Sequence, residues 1–512
     1  MNRKSIISLV LAAVATFSLM FSSCVSPQGE DSSFSHGSPT ANREVPSDSL
    51  TLEIQQESNG NNLIAFSTEC DPHFFSYNVG RSGVNANGDA WECKAEDWNE
   101  VVVKRVEEMN LQRIRVMLLP SWFAAEESYY INKTYTWEST GMNSLYKVLD
   151  MAQTLDIDVN ITYWGVDTPC KWLINTDISG WCMDPEIGKE QEFCDIFTDC
   201  IQYLLEEREY DCIKEITIFN EPTGIFNPYG QVKGNQMYCN ICRIMNDTFE
   251  QAGIRDKVKF CLSDDTSDSV WLAKTLGTIG DILDTVSSHS YYWGDEYTNA
   301  QMLNNGPYAF KNVKTVLNEY PGVPHIWGEV GLNTGLDTHT VTDAASPTRG
   351  LTVPRVMLNM LNAGSSGGSY WCLFSEYYSA TDSRIMNMGL WAFADEDYVC
   401  RPVYYSYSMM TRFGLNGSDI FPIESGNPNI VALALRSPEG KWSYFVVNDG
   451  SEDIKVSFLN NTKFPEMMKK YVYDEANVPT NNEVIGSSGT FTAQGRVLTD
   501  TIGKRTFVVY AE

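Results

Sequence analysis

The stretch ITIFNEPTG, residues 216–224, joins an apolar, β-branched run to an amide, a carboxylate and a proline. β-branched residues favour strands, whereas Asn and Pro interrupt them. A strand should therefore end near Asn220, with Glu221 at its carboxyl end. Two interpretations are open for this end: an ordinary turn, or a glutamate held at the edge of a sheet to move a proton.

Length, composition and charge limit the classes of protein to consider. The 512 residues suffice for a large catalytic domain and an accessory domain, and a hydrophobic content of 43% supports a real core. The formal net charge is -29. It argues against a nucleic-acid partner, because phosphate binding needs clustered Lys and Arg. These properties favour an exported enzyme that acts on neutral or weakly charged material.

The amino terminus resembles an export signal. Residues 1–24 carry basic residues, then an apolar stretch, then small residues before Cys24. The ending FSSC resembles the lipobox of bacterial lipoproteins, which implies cleavage before Cys24 and lipidation of its thiol. A plain signal peptide with a chance cysteine is the alternative. We predict a protein anchored by lipid in the bacterial outer membrane, on the surface or the periplasmic face, with residues 25–60 as a flexible tether.

Residues 61–413 alternate short apolar runs with stretches of helical periodicity. Eight strands, each followed by a helix, predict the α/β class and a (β/α)₈ TIM barrel. The predicted strands are residues 74–80, 112–118, 156–164, 214–220, 257–263, 284–292, 323–330 and 368–374. Helices are predicted at 97–110, 143–156, 190–207 and 401–413.

Residues 414–512 change rhythm to short apolar runs separated by Gly, Asn, Asp and Pro. This pattern predicts a small antiparallel β-sandwich packed on the barrel.

Two glutamates are placed to act together in such a barrel. Functional side chains gather at the carboxyl ends of parallel barrel strands. Glu221 ends the fourth strand, and Glu329, in HIWGEVG, ends the seventh, on the opposite side of the barrel mouth. Glycoside hydrolysis needs one acid to protonate the leaving oxygen and one carboxylate at the anomeric carbon. The pair therefore favours that reaction over an ordinary turn at Glu221.

Asn-Glu-Pro after strand four, with a Glu ending strand seven, resembles clan A of the retaining β-glycoside hydrolases. The likeness covers residues ~70–413 in layout, and a C-terminal sandwich is common in several of its families, such as 30 and 39. It implies a retaining β-glycosidase that cleaves an oligo- or polysaccharide by double displacement, with Glu221 as acid/base and Glu329 as nucleophile. It also implies that Asn220 hydrogen-bonds the sugar 2-hydroxyl.

Other residues match the same clan. Arg115, in RIRVM, resembles the arginine beside the nucleophile, where a cation would lower the carboxyl pKa. His289 and Tyr291, in SSHSYYW, match an H-x-Y motif whose Tyr orients the nucleophile. Trp371, in SYWCLF, matches the tryptophan that forms the floor of the sugar site. Each residue alone is weak evidence; their joint occurrence on the expected strands carries the resemblance.

Several further residues follow the predicted strands. Tryptophans 122, 164, 293 and 327 lie at or just beyond strand ends, where they could stack on sugar C–H groups or pack in the core. Of these we predict Trp164 and Trp293 to bind substrate. Asp264 and Asp265 follow the fifth strand and could contact hydroxyls or cap the next helix; the cap is favoured.

No H-E-x-x-H, P-loop or G-x-G-x-x-G motif occurs, so the sequence indicates no catalytic metal and no cofactor. Twelve cysteines follow Cys24. Export would permit disulfides among them, and Cys239-x-x-Cys242 favours a structural role. The alternative to an enzyme is a surface glycan-binding lipoprotein on a hydrolase-like barrel, but a binder would be free to lose Glu221. The predicted partner is a carbohydrate, and sugar identity, endo or exo action and oligomeric state stay open.

Overall fold

The computed structural model describes residues 45–167, 169–174, 182–292, 299, 310–332, 341–465, 467–493 and 495–512. The predicted signal with Cys24, the first part of the tether and Trp293 lie outside these residues. The described residues belong to one compact unit, 42–512. Within them no helix has both the length and the apolar character that crossing a membrane requires.

Strands account for most of the regular structure. In chain order they are β1 (Leu50–Glu53), β2 (Ala65–Glu69), β3 (Ser82–Val84), β4 (Ala90–Glu92), β5 (Arg113–Leu118), β6 (Asp158–Tyr163), β7 (Val166–Asp167), β8 (Cys182–Met183), β9 (Ile213–Ile218), β10 (Lys259–Asp265), β11 (Thr285–Tyr292), β12 (His325–Leu332), β13 (Gly367–Tyr370), β14 (Asp419–Ile423), β15 (Ile430–Arg436), β16 (Trp442–Asn448), β17 (Ile454–Leu459), β18 (Met468–Asp474), β19 (Gly489–Phe491), β20 (Val497–Ile502) and β21 (Thr506–Ala511).

Helices lie mainly between the strands of the first 413 residues. They are α1 (Lys104–Glu108), α2 (Ser121–Ala124), α3 (Glu127–Asn132), α4 (Thr140–Thr154), α5 (Glu190–Gln202), α6 (Pro222–Ile225), α7 (Gln231–Ala252), α8 (Ser269–Ile279), α9 (Phe310–Leu317), α10 (Pro347–Asn362) and α11 (Pro402–Phe413). The π-helical turns 98–103 and 203–207 extend α1 and α5, so the helices predicted at 97–110 and 190–207 are present.

Eight parallel strands close a barrel in the order β2-β5-β6-β9-β10-β11-β12-β13. The barrel closes where β13 pairs with β2, with Gly367 opposite Ala65. A Cβ at Gly367 would lie 2.3 Å from the Ala65 carbonyl oxygen, so the two strands can approach only because this residue is glycine. The predicted (β/α)₈ barrel is confirmed, and seven of its strands overlap the predicted ranges.

The first predicted strand is wrong. Residues 74–78 form a π-helical turn, and the first barrel strand is β2, AFSTE. The aromatic run FFSYN has strand propensity, but Phe74 packs instead on Trp98 and Phe374. Strand β2 is hard to recognise because three of its five residues, Ser67, Thr68 and Glu69, are polar, so its sequence lacks the apolar run expected of a buried strand.

The C-terminal region is a β-sandwich, as predicted. A six-stranded antiparallel sheet, β14-β15-β16-β21-β18-β19, faces a three-stranded sheet, β1-β17-β20. Strand β1 pairs in parallel with β17, so the predicted tether is wrong over residues 50–53, which belong to the sandwich. Leu52 of β1 is fully buried in the sandwich core, and its burial stabilises the pairing of this segment with the sheet.

The cysteines remain thiols. All twelve that follow Cys24 lie in described residues, and none of them is bonded to another. Cys239 and Cys242 are buried on α7, which agrees with the structural role favoured above.

Candidate active site

The end of β9 explains the sequence Asn-Glu-Pro. Phe219 and Glu221 have positive φ values of 69° and 47°, in the left-handed region that costs a non-glycine residue about 1–3 kcal/mol. The two reversals turn the chain at the barrel rim, and Pro222 then begins α6. As a result Asn220 contacts Arg115 and Glu221 contacts His289, both over the barrel mouth.

Glu329 lies on β12 and is held by two donors. Arg115 Nη1 donates to its Oε1 at 2.8 Å, and the Tyr291 hydroxyl donates to its Oε2 at 2.6 Å. Both carboxyl oxygens are thus engaged, and the side chain is 6% exposed. Two donors on one carboxyl favour its ionised form.

The two glutamates meet around His289. His289 Nδ1 lies 3.0 Å from Glu221 Oε1 and 3.5 Å from Glu329 Oε2. Oxygen atoms of the two carboxyl groups lie within 4.8 Å of each other. Carboxyl groups roughly 5–5.5 Å apart are typical of retaining glycosidases, while inverting ones place them about 6.5–9.5 Å apart.

Arg115 is the centre of a buried network. Besides Glu329, its Nη1 donates to Glu69 at 2.8 Å, and its Nη2 donates to Asn220 at 2.8 Å and to Asp264 at 2.9 Å. The guanidinium also lies 5.0 Å from the centroid of the Trp164 ring. One side chain thereby fixes the relative positions of residues from five barrel strands.

His289 is a second buried cation. Burial by itself lowers its pKa, but the carboxylates of Asp264 and Glu329 raise that pKa well above the usual value. Its Nε2 lies 3.0 Å from Asp264 Oδ1, which also accepts a hydrogen bond from Ser287 at 2.6 Å. Burial raises the pKa of Asp264, yet His289 and Arg115 outweigh it and hold that pKa below its ordinary value.

The favoured capping role of Asp264 and Asp265 is wrong. Helix α8 is capped by Asp268, whose carboxylate accepts from the backbone of Val270 and Trp271. Asp265 accepts from the Asp268 backbone at 2.8 Å and so supports the turn before the helix.

The pKa of Glu329 differs from the sequence-based expectation. Burial raises its pKa to about 7, and the nearby cations His289 and Arg115 only partly oppose this. The expected lowering by Arg115 is present as a contribution, but it is smaller than the cost of removing the carboxylate from water. The charge of Glu221 acts in the same direction as burial.

A cavity of about 450 Å³ opens next to Trp164, the tryptophan whose ring lies against Arg115. Its lining residues are Asp71, His73, Met117, Trp164, Trp371, Tyr378, Ser379 and Asp382. The rings of Trp164 and Trp371 lie 6.2 Å apart and are tilted by 44°. Two flat indole faces in a cavity of this size suit a sugar ring.

The other two tryptophans pack elsewhere. Trp327 is 1% exposed, packs on Phe310 and His325, and donates to Ser365, so it belongs to the core. Trp122 is buried and contacts the edge of His73 behind the cavity lining.

A second buried cluster lies against the same cavity. Asp71, His73 and Glu376 bring ligand-capable atoms within 4.8 Å of one another. Burial and the charge of Glu69 raise the pKa of Asp71 well above its usual value, and burial with Asp71 does the same for Glu376. Burial lowers the pKa of His73 to about 3.

Sequence reasoning missed Glu69, Asp71, His73 and Glu376. A usable signal was present for the first two: the run LIAFSTECD ends on carboxylates, as strand four ends on Asn-Glu. Placing the first strand at 74–80 hid it. No local pattern marks Glu376, which follows the last barrel strand in an irregular segment.

No family model and no curated protein matches this chain in sequence. Solved structures do match it. SrfJ from Salmonella typhimurium is 12% identical with a TM-score of 0.63, covering 92% of this chain and 94% of that one. The endo-beta1,6-glucanase BT3312 is 12% identical with a TM-score of 0.64, covering 90% and 93%.

The catalytic domain of GH30 xylanase C from Talaromyces cellulolyticus is 14% identical with a TM-score of 0.62, covering 90% of this chain and 99% of that one. At these identities the likeness concerns the fold. This chain therefore shares its fold with these three proteins, a (β/α)₈ barrel with an attached β-sandwich.

Proposed function

We propose that this protein is a retaining β-glycosidase in which Glu221 is the acid/base and Glu329 the nucleophile. The observation that carries the proposal is the pair itself: two carboxyl groups with oxygen atoms within 4.8 Å of each other, on either side of His289. Arg115 and Tyr291 hold the two oxygens of Glu329, so one lone pair can be aimed at a sugar carbon.

The reaction would proceed in two displacements. Glu329 attacks the anomeric carbon while Glu221 gives its proton to the leaving glycosidic oxygen, so the C–O bond breaks as a glycosyl ester forms. Glu221 then takes a proton from water, which attacks the same carbon and releases Glu329. Asn220 is positioned by Arg115 to hydrogen-bond the sugar 2-hydroxyl, and Trp371 forms the floor.

The cation pair controls this chemistry. Arg115 and His289 are buried between the carboxylates and stabilise negative charge on Glu329 when it leaves the ester. His289 also lies 3.0 Å from Glu221, so the hydrogen bond between them changes whenever the acid/base gains or loses its proton. These positions favour an enzyme over a binder, because binding alone needs no such ionic arrangement.

The test is a panel of aryl β-glycosides with strongly and weakly acidic leaving groups. Glu329→Gln should lower kcat/KM by about 10⁴-fold or more on every member. Glu221→Gln should fail with poor leaving groups and retain activity with those that depart without a proton. NMR of the first product formed should show the β-anomer.

Glu319→Gln, an exposed glutamate beyond α9, is the matched control and should behave as the unmodified protein. Sugar binding without release across the whole panel would instead make the protein a glycan binder. Formation of the α-anomer would contradict the retaining assignment.

We further propose that the enzyme is anchored to the bacterial outer membrane through a lipidated Cys24. The support is the sequence FSSC after an apolar stretch. Cys24→Ala should abolish labelling by a radioactive fatty acid and move activity from the membrane fraction to the soluble one. Activity that stays with the membrane in the variant would contradict the anchor.

A further inference from the structure

The cluster of Asp71, His73 and Glu376 is the second group of metal-ligating side chains in the described residues. Asp71 and His73 follow β2, and Glu376 comes from the segment after β13. Exposure is 3% for Asp71 and 2% for each of the other two. The first such group is Glu221, His289 and Glu329, which the proposed mechanism already uses.

One polar atom of the cluster has no partner. His73 Nδ1 is buried without a hydrogen bond to any described group, whereas the Asp71 carboxyl group shares a hydrogen bond with Glu69. A buried polar atom left without a partner costs free energy, so each such atom in a native site needs an explanation. Asp71 and His73 are also among the residues that line the cavity.

Asn78 links the two chain segments that carry the cluster. Asn78 Nδ2 donates to the His73 carbonyl at 3.0 Å and lies 3.4 Å from Glu376 Oε2. Asn78 Oδ1 accepts from the Tyr377 backbone at 2.8 Å. One amide thus ties the segment after β2 to the segment after β13, as supporting residues do around bound ions.

The cluster has no paired protein cation. Among described residues no Lys or Arg forms an ion pair with Asp71 or Glu376, and Arg115, whose charge acts on Asp71, is already shared by Glu69, Asp264 and Glu329. The catalytic trio differs, because His289 lies between its two carboxylates. Two carboxyl groups and one imidazole without a paired protein cation match the donors of a metal ion, which would bind as the carboxyl groups release their protons.

We propose that Asp71, His73 and Glu376 bind a divalent transition-metal ion, with Zn²⁺ and Mn²⁺ as the ions to test. An imidazole nitrogen with two carboxylates suits these ions, whereas Mg²⁺ and Ca²⁺ favour oxygen donors alone. Ligands about 2.0–2.2 Å from an ion lie roughly 3–4 Å apart, so the three groups need to close by about 1 Å. The remaining coordination positions face the cavity, where a water or a sugar hydroxyl would fill them.

The experiment uses the full chain after treatment with a chelator. Titration calorimetry with Zn²⁺ and with Mn²⁺ should show one saturable site for at least one ion, and that ion should raise Tm. Asp71→Asn and Glu376→Gln should each weaken binding by about 10-fold or more. Glu329→Gln should bind the ion as the unmodified protein does, which separates this site from the catalytic trio.

Asp382→Asn is the matched control, since this aspartate lines the same cavity outside the cluster. Absence of a saturable site for both ions, or affinity unchanged in both cluster variants, would overturn the proposal. Loss of sugar binding in ion-free Asp71→Asn without any ion binding would assign the cluster to sugar hydroxyls instead. Ion binding without hydrolysis of any glycoside would support this metal site and contradict only the proposed glycosidase function.

Discussion

At the residue scale, the pKa of Glu329 sets the pH range in which the proposed nucleophile is ionised. Burial raises that pKa to about 7. A carboxyl group attacks only after losing its proton, so kcat/KM should rise as pH increases through about 7 and fall below it. A pH profile of kcat/KM measures this limb directly.

Tyr291→Phe should shift that limb. The variant loses a 2.6 Å hydrogen bond to the charged carboxylate, which raises the pKa of Glu329 and moves the limb to higher pH. A hydrogen bond to a charged group is worth about 1.5–3 kcal/mol, so kcat/KM should fall about 10- to 100-fold.

Tyr370→Phe is the control, because its hydroxyl donates to the Met388 carbonyl and does not contact Glu329. The acidic limb of the kcat/KM profile of Tyr370→Phe should lie at the same pH as that of the unmodified protein. An unmoved limb in Tyr291→Phe would show that this hydroxyl does not stabilise the ionised nucleophile.

At the scale of elements, barrel closure depends on the pairing of β13 with β2. Gly367 lies opposite Ala65, and a Cβ there would come within 2.3 Å of the Ala65 carbonyl oxygen. Glu69, at the end of β2, accepts a hydrogen bond from Arg115, so displacement of β2 would also displace Arg115 in the candidate active site.

Gly367→Ala should therefore lower stability by about 1–3 kcal/mol through overpacking. Urea unfolding followed by circular dichroism measures the loss. Gly486→Ala, where an added Cβ meets nothing within 4 Å, should leave the unfolding midpoint nearly unchanged. Equal midpoints for both variants would show that β2 moves away from β13 without cost.

At the scale of the molecule, the six-stranded sheet serves both domains. Alternate residues of β15 point to opposite faces, as strand geometry requires. Val431 and Leu433 join the apolar core shared with the barrel, while Ile430 and Ala432 join the core inside the sandwich. The barrel and the sandwich therefore bury a common layer.

An ionic network reinforces this layer. Arg355 of α10 is 2% exposed and pairs with Asp449, which also pairs with Arg505. Arg505 Nε pairs with Glu475 at 2.5 Å, and Glu475 accepts from Thr348 of α10 at 2.7 Å. The sandwich thereby contacts the first turn and the middle of one barrel helix.

Asp449→Asn should destabilise the whole chain, because it leaves the buried Arg355 beside a neutral amide. Removing one partner of a buried pair costs about 3–5 kcal/mol, and the lower value applies since Asp449 is partly exposed. Urea unfolding should show the loss as one shifted transition.

Asp281→Asn removes the partner of Arg243 in an exposed pair and should change little, since water screens it. A first transition in Asp449→Asn that unfolds the sandwich alone would contradict the shared layer.

Local pattern is sufficient for much of this architecture. Seven barrel strands, the sandwich and the positions of Glu221 and Glu329 follow from periodicity and turn residues, because backbone geometry repeats over a few residues. Strand β2 was not predicted, because its small and polar residues do not alternate with apolar ones along the sequence. Strand β1 was not predicted, because its pairing partner, β17, lies about 400 residues away.

The chain's own sequence determined the fold class, the two strand-end glutamates and the residues that resemble a glycosidase site. Only the tertiary structure decided that Glu69 and Asp264 share Arg115 with Glu329, and that Asp71, His73 and Glu376 converge. It also decided that burial outweighs nearby cations at Glu329. The reason is physical: hydrogen bonds, ion pairs and desolvation depend on distances in space, and residues up to 300 positions apart meet at this barrel mouth.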